Sequence, residues 1–193
     1  MNRKIIALLA LSLAACGPSP KAEPPLAGAS IGGPFQLVNQ DGRPVRDTDF
    51  RGRYRVVYFG YTYCPDVCPV DMANVGAAMR ELDKSDPDIS AKVVPIFITV
   101  DPERDTPPVL KQFVSNFYPR MLGLTGSAQA IAKAAEAYRV YYKKEPPAQP
   151  GGGYLVNHLR VAYLMDPEGK PMAILPADQS GAAVAAEIRR WVS

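Results

Sequence analysis

The sequence predicts an α/β domain with a central mixed sheet flanked by helices. Three observations carry this. Two apolar, β-branched runs of strand length, Tyr54–Gly60 and Val93–Val100, alternate with segments of helical periodicity. A late strand–turn–strand segment over 160–175 excludes a purely parallel sheet. Two cysteines four residues apart, Cys64 and Cys68, fall in the first connection from a buried strand to a helix.

Taken in order, Phe35–Val38 reads as a strand and Gln40-Asp41-Gly42-Arg43 as its turn, an N-terminal extension strand or hairpin. Tyr54–Gly60 suits a buried strand. A helix follows over Pro69–Asp83. Pro69 suits its first turn, and Met72, Val75, Met79 and Leu82 form its inner face. Val93–Val100 is the next buried strand, with Pro95 as its one discordant residue. Thr106 caps a helix from Pro107 to Tyr118, and Ser127 caps another through Ala137. Tyr138–Tyr142 reads as a strand and Lys143–Gly153 as a flexible loop. Strands Arg160–Met165 and Pro171–Leu175 flank the turn Asp166-Pro167-Glu168-Gly169, and a helix covers Ala182–Val192. A cysteine pair in the first strand-to-helix connection of such a sheet is similar to the thioredoxin architecture.

The 193 residues are enough for one domain with a sizeable core. A net charge of +3 with no Lys/Arg stripe argues against nucleic acid as a partner. Arg3-Lys4 precedes the apolar run Ile5–Ala15, too short to span a bilayer and suited to a secretory signal. Leu13-Ala14-Ala15-Cys16 resembles a bacterial lipobox, which implies lipidation of Cys16. Residues 1–15 are then a lipoprotein signal peptide. Residues 16–30 are the lipidated Cys and a Pro-, Ala- and Gly-rich tether reaching about 40 Å. Residues 31–193 are the folded domain. The expected location is the periplasmic side of a bacterial membrane, with the protein held there by a lipid anchor. With Cys16 acylated, Cys64 and Cys68 are the two thiols available for chemistry.

A spacing of four suits a disulfide or a shared soft metal. A thiol at a helix N-terminus is favoured as thiolate, the form that both roles need, while Asp66 between the cysteines works against this. Pro65 and Pro69 each bias the preceding Cys towards extended backbone, which puts Cys64 in the loop and Cys68 near the helix cap. His158 is the single histidine. Two thiolates and one imidazole suit copper and suit a closed zinc site poorly. Met72, one turn beyond Cys68, reads as core packing.

These residues lie in recognisable blocks. Phe59-Gly60-Tyr61-Thr62-Tyr63-Cys64-Pro65-Asp66-Val67-Cys68-Pro69 looks like the signature of the SCO/SenC family. Val100-Asp101-Pro102-Glu103-Arg104-Asp105-Thr106-Pro107 resembles its second block. His158 followed by Tyr163-Leu164-Met165-Asp166-Pro167-Glu168-Gly169 resembles its third. The resemblance spans about residues 31–192. It implies a thioredoxin-like fold that binds copper, as Cu(I) or Cu(II), through Cys64, Cys68 and His158. It also implies delivery of copper to the CuA site of cytochrome c oxidase, or reduction of the cysteines there, with Asp101 and Asp105 near the site. The chain departs from the family where Asp-His-Ser/Thr is usual and Asn157-His158-Leu159 stands instead. That change removes a charge and a hydroxyl beside the ligand, and bears on how the imidazole is oriented.

The expected function is that of an extracytoplasmic copper metallochaperone whose Cys64 and Cys68 form a redox pair. The expected partners are the CuA subunit or another copper protein, and the chain itself is expected to be a monomer. The alternative is a metal-free thiol–disulfide oxidoreductase. Against it, the spacing exceeds Cys-x-x-Cys by one residue, and no proline occurs between Pro150 and Pro167, where proteins resembling thioredoxin place one. A peroxiredoxin-type peroxidase needs Thr three residues before its Cys, and Thr62 is two before Cys64.

Overall fold

A computed structural model describes residues 22–146 and 153–192. The chain first forms a hairpin, β1 (Gln36–Asn39) and β2 (Pro44–Arg46). Its turn closes because the Asn39 side-chain oxygen accepts from the N–H groups of Asp41 and Arg43. Then come β3 (Tyr54–Gly60), α1 (Val67–Ser85), α2 (Pro87–Lys92), β4 (Val93–Thr99), α3 (Pro107–Ser115), β5 (Leu122–Thr125) and α4 (Ala128–Ala137). The last elements are β6 (Tyr142–Glu145), β7 (Leu155–His158), β8 (Ala162–Met165), β9 (Pro171–Leu175) and α5 (Gly181–Trp191). Seven strands make one sheet in the order β2-β1-β5-β4-β3-β8-β9. β3, β4 and β5 run parallel, while β8, β9 and β1 pair antiparallel. This is the expected thioredoxin-like mixed sheet with an N-terminal hairpin.

Both faces of the sheet are covered, which is why β3 and β4 are apolar without alternation. On one face the Tyr58 hydroxyl donates to Asp71 of α1 at 2.9 Å, and the Tyr58 ring stacks near Phe97, which in turn meets Phe113 of α3. On the other face Phe59 packs against Tyr138, at the C-terminal end of α4, and Tyr138 against Tyr163 of β8. α5 lies on α1 where Gly181 has no side chain; a Cβ there would stand 2.7 Å from that of Ala77.

Several elements differ from expectation. α1 begins at Val67, so Cys68 and Pro69 are already in its first turn. α3 ends at Ser115, three residues short of Tyr118, and Thr106 sits at its N-cap without a side-chain bond. β5 is the four-residue segment LGLT, whose Gly123 gives no strand propensity; Leu110 and Val114 pack over it. The short α2 was also unforeseen. The strand expected at Tyr138–Tyr142 begins at Tyr142, since Tyr138 caps α4 and Arg139 takes φ 57°. Lys143–Glu145, expected in a loop, pair with β7 in a separate two-stranded ribbon. Residues 147–152 of that loop lie outside the described residues, as do the signal segment and Cys16.

Pro95 fits β4 because β5 pairs only from Ile96 onward, leaving Pro95 one strand neighbour instead of two. Within the segment read as tether, Leu26 is laid on the domain: its N–H donates to the Met172 carbonyl at 2.9 Å and its side chain packs on the core.

At the C-terminal end of β3, a Cβ on Gly60 would stand 2.9 Å from Cys68 Sγ, 2.9 Å from Tyr58 Cε1 and 3.0 Å from Phe97 Cε2. Gly60→Ala is therefore expected to destabilise the domain by about 1–3 kcal/mol through overpacking. Urea unfolding checks this, and an unchanged midpoint would contradict it.

Candidate metal centre

The site forms where β3 runs out. After Gly60 the chain turns, with the Cys64 N–H donating to the Tyr61 carbonyl at 3.3 Å, and enters α1 at Val67. Cys64 is in the loop and half-buried; Cys68, in the first turn of α1, is fully buried in the space left by Gly60. Both are free thiols. His158 is the last residue of β7, and its Nε2 lies 3.2 Å from Cys68 Sγ. Its ring stands edge-on between Tyr58 and Tyr61, at 6.2 and 6.0 Å between centroids. The two sulfurs and an imidazole nitrogen lie within 4.8 Å of one another.

The tautomer of His158 follows from its other nitrogen. Nδ1 is 3.2 Å from the Leu159 carbonyl, which can only accept, so Nδ1 carries the proton and Nε2 presents a lone pair to the sulfurs. The orienting partner is thus backbone, and it is untouched by a leucine in place of a hydroxyl residue at 159. Asn157 and Leu159 themselves are exposed.

The two thiols are unequal. The Cys64 thiol is pushed down, chiefly because the Cys68 S–H donates to its thiolate. The backbone N–H groups of Asp66 and Cys68 add to this, while burial opposes it. The two N–H groups are among the unpaired donors at the start of α1. Cys68 is pushed up by its bond to Cys64 and by burial. The buried sulfur is accordingly the one that holds its proton more tightly.

Three buried carboxylates brace this arrangement. Asp71 accepts from the Tyr58 hydroxyl at 2.9 Å and from Arg160 Nε and Nη2 at 2.9 and 2.5 Å, tying α1 to the segment just after His158. Asp105 accepts from the Thr62 N–H and hydroxyl, at 3.0 and 2.6 Å, and from the Thr99 hydroxyl at 2.6 Å, so it anchors the cysteine loop. Burial pushes the Asp105 carboxyl up, while the threonine bonds hold it down. Asp101 accepts from the Tyr154 hydroxyl at 2.7 Å and pairs with Arg104. Neither Asp101 nor Asp105 joins the sulfur–imidazole cluster; each holds a segment that carries a member of it.

Asp71, Arg160, Arg104 and Tyr154 were not singled out from sequence. Asp71 did leave a signal: three residues after Cys68 and four before Val75, it falls on the apolar face of α1, where a carboxylate needs a partner. Met72 is core, as expected.

Known proteins share much of this sequence and fold. Residues 23–193 match the SCO1/SenC family. Protein SCO1 homolog 1, mitochondrial, of Arabidopsis thaliana is 45% identical over 76% of this chain and 42% of its own length. Protein SenC of Rhodobacter capsulatus is 46% identical over 74% of this chain and 62% of its own. The chain thus spans about half of these relatives. The structure of Bradyrhizobium japonicum ScoI with copper bound superposes with a TM-score of 0.75 at 40% identity, covering 84% of this chain and 99% of that one.

The unequal thiols predict a pH profile. In the reduced, metal-free protein, iodoacetamide should modify Cys64 with a midpoint well below the usual thiol value of about 8.5, and should spare Cys68. Cys68→Ala removes the main donor to the Cys64 thiolate, so the midpoint should move up towards that value. A wild-type midpoint at or above it would contradict the assignment.

Proposed function

We propose a function from the premise that this chain belongs to the SCO1/SenC family: the domain holds one copper ion through Cys64 Sγ, Cys68 Sγ and His158 Nε2 and delivers it to the CuA site of cytochrome c oxidase during assembly. The observation that carries this is the convergence of the three ligand atoms within 4.8 Å, brought from a loop, a helix and a separate ribbon. Two soft sulfurs suit Cu(I), and the added imidazole suits Cu(II) as well. The copper-bound relative supports copper as the cargo. Cys68 and His158 form the inner side of the site. Cys64 is its accessible edge, so an incoming ligand from the recipient approaches over Cys64 and displaces it first.

A second reading rests on the inequality of the thiols. Cys64, half-buried and pushed down, is placed to attack a disulfide of the recipient; Cys68 then attacks the mixed disulfide. The recipient leaves with two thiols, and this chain keeps a Cys64–Cys68 disulfide that a thiol reductant must return to the dithiol. Both readings coexist in one protein, since a recipient must hold reduced cysteines before it accepts copper.

The rest of the proposal follows the N-terminal sequence. Residues 1–15 direct export and Cys16 carries the lipid. The following residues place the domain, as a monomer, on the periplasmic side of a bacterial membrane, where its recipient is a membrane-bound copper protein and not a nucleic acid.

Copper titration followed by absorption and EPR tests the ligand set. Wild type should bind one copper per monomer. His158→Ala should bind more than about tenfold weaker with an unchanged unfolding midpoint. Equal affinity in the two would remove His158 as a ligand. In cells, the second reading expects Cys64→Ser to block oxidase assembly even with excess copper; full rescue by copper would leave only the delivery role.

A further inference from the structure

The three ligands belong to two separately built units. Cys64 and Cys68 are carried by the main sheet and α1, whereas His158 ends a ribbon, β6–β7, that shares no ladder with the seven-stranded sheet. The sulfur–imidazole distance therefore depends on what pins that ribbon to the body. At the far end of the ribbon Arg160 is held by Asp71. Val156 of β7 is buried in the core, Lys144 of β6 pairs with Glu103 at 2.6 Å, and at the near end the Arg104 guanidinium reaches the residue that leads into β7.

Arg104 Nη1 donates to the Tyr154 carbonyl at 3.0 Å, immediately before β7, and Arg104 Cζ stands 3.7 Å from the centroid of the Tyr154 ring. The same group lies 5.6 and 5.0 Å from the rings of Tyr61 and Tyr63, in the segment that leads into Cys64. Asp101 closes the arrangement by pairing with Arg104 and accepting the Tyr154 hydroxyl at 2.7 Å. Arg104 thus grips the cysteine loop and the histidine ribbon at once. Its Nη2 is buried without a hydrogen-bond partner. The guanidinium is held against aromatic faces at the junction.

We propose that Arg104, with Tyr154 and Asp101, is a positioning residue that sets the reach of His158 to the two sulfurs and so decides whether copper sits on three ligands or two. The idea rests on the copper-binding reading above. When the clamp is closed, Nε2 remains at bonding reach of the sulfurs. When it is loosened, β7 shifts and copper is left on the cysteines alone.

The chain's single histidine provides a reporter that needs no metal. In the untagged, reduced, metal-free protein, the His158 ring proton NMR signals should shift or broaden in Arg104→Ala and in Tyr154→Phe. The second variant removes one hydroxyl, and it carries the test alone if the first does not fold. With Cu(I), Arg104→Ala should lose about ten- to a hundredfold in affinity, and Arg104→Lys should recover only part of it. Adding Arg104→Ala to His158→Ala should cost little more than His158→Ala alone, because both act through one ligand. Unmoved ring signals, or losses that simply add, would overturn the clamp and leave the copper site standing. Equal copper binding by wild type and His158→Ala would instead defeat the ligand assignment, while the ring signals still decide whether Arg104 positions the imidazole.

Discussion

The site is built in the volume that Gly60 leaves empty. Any side chain there would meet the sulfur of Cys68, the ring of Tyr58 and the ring of Phe97 together. With hydrogen in that place, the first turn of α1 settles against the end of β3, and Cys68 is buried at the junction. His158 is then seated against that sulfur, and Cys64 is left as the accessible edge. The inequality of the two thiols follows from the same placement, since one is desolvated and the other faces the opening N–H groups of a helix.

Burial on this scale needs polar ties, and the domain supplies them as carboxylates that are each fully engaged. Asp71, Asp101 and Asp105 are 0–1% exposed. Each joins segments far apart in sequence: α1 to the ribbon's exit, the β4–α3 loop to the ribbon's entry, and that same loop to the cysteine loop. Breaking one partner of such a buried pair costs about 3–5 kcal/mol, because the remaining charge is stranded. The electrostatic frame thus fixes relative position more than it adds net stability, which is what a site assembled from several segments requires.

Much of the fold was legible in the residues. The runs at 54–60 and 93–100, the periodic helix after the cysteines, the Ser127 cap and the late hairpin are local signals, and each found its element. What was missed had no local signal. β5 is a strand only because Leu110 and Val114 cover Gly123 and because β4 pairs with it. Lys143–Glu145 of β6 read as loop and β7 carries no signal of any element, because a short two-stranded ribbon buries too little to shape its sequence. The clamp around Arg104 was invisible because it joins residues 61, 63, 101, 104 and 154, and no spacing rule relates them.

From the sequence alone came the chemistry: two thiols, one histidine, and a mixed α/β scaffold to hold them. Residue type sets what an atom can bind, and short-range spacing sets which turn or strand it occupies. The tertiary structure decided the rest. It made Cys68 the buried thiol and Cys64 the half-buried one, gave His158 its tautomer through a backbone carbonyl, and turned Asp101 and Asp105 from neighbours of the site into its supports. Those outcomes depend on desolvation and on contacts across 40 to 90 residues of chain. Such distances are closed only when the sheet, helix and ribbon have packed.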